Sequence, residues 1–116
     1  MKLPNYEQAQ VPPSKITDYL LSTSHPDGRG KARFFRSYGF TVEQWEFLAD
    51  ALRRHAADHE VTGTELSPFG TRFIIEGIMF TPDDRTPRVR TIWFIETGEQ
   101  IPRFVTAYPL ARTDND

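Results

Sequence analysis

The chain has no cysteine. Disulfides, thiolate zinc sites and cysteine nucleophiles are therefore excluded. It has only three histidines, His25, His55 and His59. It has no apolar run near the roughly 20 residues that a membrane span needs, so no membrane association is expected. Met1 to Gln10 lacks the apolar centre of a signal peptide, and the protein is expected in the cytoplasm. Charge of one sign is also lacking, with 14 basic residues against 16 acidic ones. A protein that clamps nucleic acid over its whole surface would be basic. Any anionic ligand must therefore meet a local patch.

What is present suits one modest domain. The 116 residues allow a single domain, 1–116, with 1–13 as an extended lead-in and 111–116 as a frayed tail. Two basic patches stand out. His25 to Arg36 holds Arg29, Lys31, Arg33 and Arg36 against Asp27 alone. Arg85 to Arg103 holds Arg85, Arg88, Arg90 and Arg103 against Glu96 and Glu99. Arginine supplies a planar fork that matches phosphate or carboxylate. Solvated surface charge is the plainer reading of each patch taken singly.

Hydrophobic spacing predicts a short helix over Lys15–Ser22, a second over Lys31–Tyr38 closed by Gly39, and a third over Val42–His59. Thr41 and Gln44 fit a capping box for the third. Trp45, Leu48, Ala49, Leu52 and Ala56 form its apolar stripe, and Asp50 with Arg54 is an i,i+4 pair. After Gly63 the pattern changes. Strands are predicted at Glu60–Leu66, Thr71–Thr81, Arg88–Thr97 and Arg103–Tyr108. Their short links favour an antiparallel meander. The fold class is thus α+β, with N-terminal helices packed on one face of a four-stranded antiparallel sheet.

Several side chains could carry chemistry. His25 sits in a turn beside cations that favour its neutral, proton-accepting form. Gly28-Arg29-Gly30-Lys31 opens a helix whose amides could meet an anion. His55 and His59 share a helix face, but a metal site would need a third ligand. A solvated helix end is the favoured reading of that pair. Glu76 and Glu96 fall inside strands, and Arg90 is a mid-sheet arginine that must be paired, exposed or used. On the last strand, period-2 alternation puts Phe104, Thr106 and Tyr108 on one face. Either the hydroxyls of Thr106 and Tyr108 meet one ligand, or the aromatics are core residues with Thr106 between them.

Two stretches carry a resemblance. One is Lys15-Ile16-Thr17-Asp18-Tyr19-Leu20-Leu21 followed by His25-Pro26-Asp27-Gly28-Arg29-Gly30-Lys31-Ala32-Arg33-Phe34-Phe35. The other is Arg103-Phe104-Val105-Thr106-Ala107-Tyr108-Pro109. Together they resemble bacterial toxin domains of the barnase–EndoU–colicin–RelE-like ribonuclease superfamily. More closely, the chain resembles a little-characterised bacterial family of standalone proteins of this length. The resemblance implies a hydrolase acting on RNA without metal or cofactor, by 2′-hydroxyl attack on phosphate. It implies catalytic roles for His25, Lys31, Thr106 and Tyr108, with positional support for Arg90. Arg29, Arg33 and Arg103 would bind RNA, and an antitoxin or immunity protein would be the partner. The alternative is a non-enzymatic interaction module or an inactive relative.

Overall fold

Four strands occupy the second half of the chain: β1 (Val61–Ser67), β2 (Gly70–Ile78), β3 (Arg88–Glu96) and β4 (Arg103–Pro109). A computed structural model describes residues 1–110, and the tail expected at 111–116 lies outside them. The sheet order is β1-β2-β3-β4, each neighbour antiparallel. It is the meander that the short turns dictate. Gly70 makes the tightest of these turns, with φ of 152° and no room for a Cβ against the Ile95 carbonyl.

The helices precede the sheet. α1 (Pro13–Lys15) is brief and runs directly into a wide π-helical turn, Ile16–Leu20, closed by the Leu21 amide on the Ile16 carbonyl at 2.8 Å. α2 spans Arg29–Ser37 and α3 spans Trp45–Asp58. Thr41 does accept the Gln44 amide at 3.2 Å, yet α3 begins only at Trp45. The capping contact therefore shapes the turn before the helix. The expected Asp50–Arg54 pair is replaced by Arg53–Asp50 and Arg54–Asp58, all exposed and so of little energetic weight.

The core lies between these helices and one sheet face. Leu48, Leu52 and Ala56 of α3 pack there with Phe35 of α2 and with Ile75, Val89 and Trp93 of the sheet. Trp93 meets Phe104 edge-on, with ring centroids 5.4 Å apart. The lead-in is extended but anchored. Leu3, Ala9 and Val11 are buried, and Gln10 bridges to β4 through Pro102 and Phe104.

The strand alternation on β4 needs a correction. Ile92 pairs with Thr106, but Trp93 pairs with Phe104, so Val105 is an extra residue in a bulge. One inserted residue turns Phe104 onto the core face. Thr106 and Tyr108 remain together on the opposite face, beside Ile92 and Arg90. The bulge resolves the two readings of that strand: Phe104 is core, and the two hydroxyl-bearing side chains are not.

His55 also departs from expectation. It is not a solvated helix end but is 1% exposed. Its position, three residues after Leu52, extends the apolar stripe of α3 toward the sheet. His59 is half-buried and lies over Gly77, where a Cβ would collide with its ring.

Candidate functional site

The π-helical turn gives Tyr19 its position. A wide turn of this kind offsets a side chain from the ordinary helical spacing. Gly28 then lies against the Tyr19 backbone so closely that a Cβ there would overlap the Tyr19 carbonyl oxygen. The glycine of the His25-Pro26-Asp27-Gly28 run is therefore required for close approach. Gly28→Ala is expected to cost about 2 kcal/mol by overpacking. A thermal melt that leaves Tm unchanged would contradict this.

α2 starts at Arg29 and points Lys31 back toward Tyr19 and across to the edge strand β4. The Lys31 ammonium donates to the Tyr19 phenol oxygen at 2.6 Å and to the Thr106 hydroxyl at 2.7 Å. Those two hydroxyls are themselves 3.1 Å apart. The cation also stands 4.2 Å from the Tyr108 ring centroid and 4.9 Å from that of Tyr19. Two aromatic rings and two hydroxyls thus hold one charge. Burial opposes ionisation of the Tyr19 phenol. The hydrogen bonds from Lys31 and Thr106, with the charges of Lys31 and Lys15, outweigh it, so Tyr19 titrates below the usual tyrosine value.

Beside this cluster is a hollow of about 580 Å³. Lys15, Asp18, Tyr19, His25, Arg72, Thr106 and Tyr108 contribute to its wall. Lys15 and Arg72 stand on this wall with Asp18, and Arg72 also pairs with Glu65 at 3.5 Å, which leaves Lys15 and the neighbouring Lys31 as the cations an anion would meet. The His25 ring meets the Tyr19 ring edge-on at 5.0 Å. Its Nδ1 accepts the amides of Asp27 at 3.0 Å and Gly28 at 3.2 Å. A nitrogen that accepts two amides carries no hydrogen, so the neutral ring holds its hydrogen on Nε2.

The sequence-predicted residues divide into groups. His25, Lys31, Thr106 and Tyr108 come together. Arg90 sits opposite Tyr108 in register but is engaged by Glu76, with Nε 2.6 Å from the carboxylate. Half of the second basic patch is neutralised in this way, because Arg85 is likewise paired with Asp83. Arg29 and Arg33 line a separate hollow with Thr23, Arg36 and Ser37. Arg36 is committed to the Leu21 carbonyl. Arg103 lines a third hollow, with Gln10, Arg53, Glu96 and Glu99. Tyr19, Lys15 and Arg72 belong to the central hollow although sequence reading assigned them no role. His55 uses both ring nitrogens, toward the Gly77 and Val89 carbonyls and the Thr91 hydroxyl, and so has none free for a metal.

The family model described as a domain of unknown function, DUF6883, matches residues 2–111. No curated protein matches the chain. Among solved structures, a chain of the contact-dependent growth inhibition toxin–immunity protein complex from Klebsiella pneumoniae 342 is similar in fold. The TM-score is 0.69 at 14% identity, over 86% of this chain and 98% of that one.

Proposed function

The chain belongs to the DUF6883 family, and we propose that it is a metal-independent endoribonuclease of bacterial toxin type. The observation that carries this reading is the Lys31 ammonium bridging the hydroxyls of Tyr19 and Thr106, two residues that line the hollow. A phosphodiester entering that hollow would meet a cation already held in place by two of the site's oxygens.

The chemistry suited to such a site needs no nucleophile from the protein. The RNA 2′-oxygen attacks the adjacent phosphorus, the O2′–P bond forms, and the P–O5′ bond breaks. A 2′,3′-cyclic phosphate and a 5′-hydroxyl result. Lys31 stabilises the charge that builds on the non-bridging oxygens, which is often the largest single contribution to the rate, and the Thr106 hydroxyl helps hold that ammonium in place. The Nε2 hydrogen of His25 donates to the same phosphate. Tyr108 orders the neighbouring nucleotide. Arg29, Arg33 and Arg103, in their separate hollows, hold more distant phosphates. Arg90 acts through its register position beside Tyr108, held by Glu76.

Such an enzyme would act in the cytoplasm, where its RNA substrate is, and would require a cognate immunity protein. The likeness of fold to a chain from a toxin–immunity complex supports the second of these. Among the described residues no helix is long and apolar enough to cross a membrane.

The test is incubation of the purified chain with a labelled RNA oligonucleotide in EDTA, beside DNA of the same sequence. Cleavage of RNA alone, leaving cyclic phosphate ends, is the expected result. Intact RNA at high protein concentration would overturn the reading in favour of a non-enzymatic interaction module.

A further inference from the structure

The reading above leaves one step without an owner, which is removal of the proton from the 2′-hydroxyl. We propose that the phenol oxygen of Tyr19, as phenolate, accepts that proton. The inference rests on the ribonuclease reading and names a residue within the same hollow.

The other candidates are placed for different work. His25 spends its Nδ1 lone pair on two backbone amides, so its Nε2 is a donor and not an acceptor. Glu76 is held by Arg90. Asp18 is exposed at the rim, outside the hydrogen bonds that join Lys31, Tyr19 and Thr106. Among the described residues, Tyr19 alone sets an ionisable oxygen within hydrogen-bond reach of the Lys31 ammonium, which would also hold the phosphate. With the phenol ionised, Lys31 donates at 2.6 Å and the Thr106 hydroxyl turns to donate at 3.1 Å. Two donors on one oxygen, one of them charged, favour the phenolate.

The charge accounting of the step is closed. The 2′-hydroxyl proton moves to the Tyr19 oxygen, and its electron pair forms the O2′–P bond. Negative charge thereby leaves the phenolate and appears on the phosphoryl oxygens. Lys31, 2.6 Å from the first position, is the cation that this shift of charge moves past. The P–O5′ bond then breaks, and the departing 5′-oxygen takes a proton from water. The Tyr19 phenol returns its proton to solvent before the next turnover.

Tyr19→Phe removes only the oxygen. Its cleavage rate is expected to fall about 10²–10⁴-fold, the usual worth of a positioned base, with RNA binding retained. Thr106→Val removes one of the two donors to the phenolate, and is expected to move the rising limb of the pH–rate profile to higher pH. A readout independent of cleavage is tyrosinate absorbance in the near ultraviolet. Wild type minus Tyr19→Phe should show one of the four tyrosines ionising below the rest. Tyr19→Phe cutting RNA at the wild-type rate, or Tyr19 titrating with the other tyrosines, would overturn the assignment alone. A wild type inert toward RNA would overturn it together with the ribonuclease reading, whatever the titration shows.

Discussion

Lys31→Met is expected to slow RNA cleavage about a thousandfold, the upper range for loss of one preorganised donor to a developing oxyanion. Methionine keeps the length and apolar stem of the side chain. It can still fill the space beside the Tyr108 ring, 4.2 Å from the present ammonium. What it removes is the charge and the donors to Tyr19 and Thr106. Stability should change little. The two hydroxyls left behind are already 3.1 Å apart and can satisfy each other. The lost cation–ring contact is worth about 1 kcal/mol. Lys31→Arg should recover only part of the rate, since a planar fork cannot occupy the point-like position between two rings and two hydroxyls. Single-turnover cleavage with matched thermal melts separates these effects. A methionine variant within tenfold of the wild-type rate, properly folded, would show that Lys31 is a structural cation and that phosphate is held elsewhere.

Much of this site could be read from the chain, and the reasons differ by residue. Lys31 was legible because it follows a glycine turn at the start of an amphipathic helix. Thr106 and Tyr108 were legible because they alternate on a strand. Their meeting at 2.7 Å and 4.2 Å depends on α2 lying against the edge strand, which no local pattern specifies. Tyr19 was hidden. At helical spacing it reads as one more apolar anchor with Ile16 and Leu20, and only the wide turn rotates its hydroxyl into the hollow. Arg72 and Lys15 were hidden for another reason: neither lies in a charge cluster, and each enters the site through tertiary placement. Arg90 carried a correct warning, because a mid-sheet arginine needs a partner. Glu76 directly opposite it in register supplies that partner.

The strand boundaries were legible to within one residue except at the end of β2, which stops at Ile78 and not at Thr81, because turn residues bracket each aromatic and β-branched run. The bulge at Val105 was not. A bulge inserts one residue without altering composition, so alternation counted from Arg103 assigns Phe104 to the wrong face. The burial of His55 was half legible. Residues 48, 52 and 55 follow helical spacing, yet a polar type at the third position reads as the edge of the stripe. The deciding feature is Gly77 on the facing strand. Without a side chain there, β2 leaves space for His59 and exposes its carbonyl to His55.

That buried imidazole makes the protein acid-sensitive in a defined range. His55 is held neutral, with its ordinary value near 6.5 lowered to about 4 chiefly by burial and by the neighbouring His59. Carbonyl bonds from Gly77 and Val89 act in the opposite direction and do not offset it. The Nε2 hydrogen donates to the Val89 carbonyl at 3.0 Å and more weakly to Gly77 at 3.2 Å. Nδ1 accepts the Thr91 hydroxyl at 3.1 Å, and Thr91 in turn accepts the Trp93 indole hydrogen at 3.0 Å. Protonating Nδ1 would set a donor against a hydroxyl already committed to donating. The unfolded chain binds a proton at about pH 6.5, whereas the native state does not until about pH 4. Stability is therefore complete above pH 6.5 and falls as pH drops toward 4, by about 3 kcal/mol for this group. The carboxylate of Asp83, lowered to about 2 by Arg85, acts in a lower window. Urea midpoints measured from pH 7.5 down to 4.5 should decline accordingly. His55→Gln should be less stable at neutral pH by about 2 kcal/mol, since a buried hydroxyl and carbonyl lose well-aimed partners, and its midpoint should be nearly flat over the same range. A wild type whose midpoint does not change between pH 7 and 5 would show that His55 is solvated, and that the Thr91–Trp93 relay does not hold the helix to the sheet.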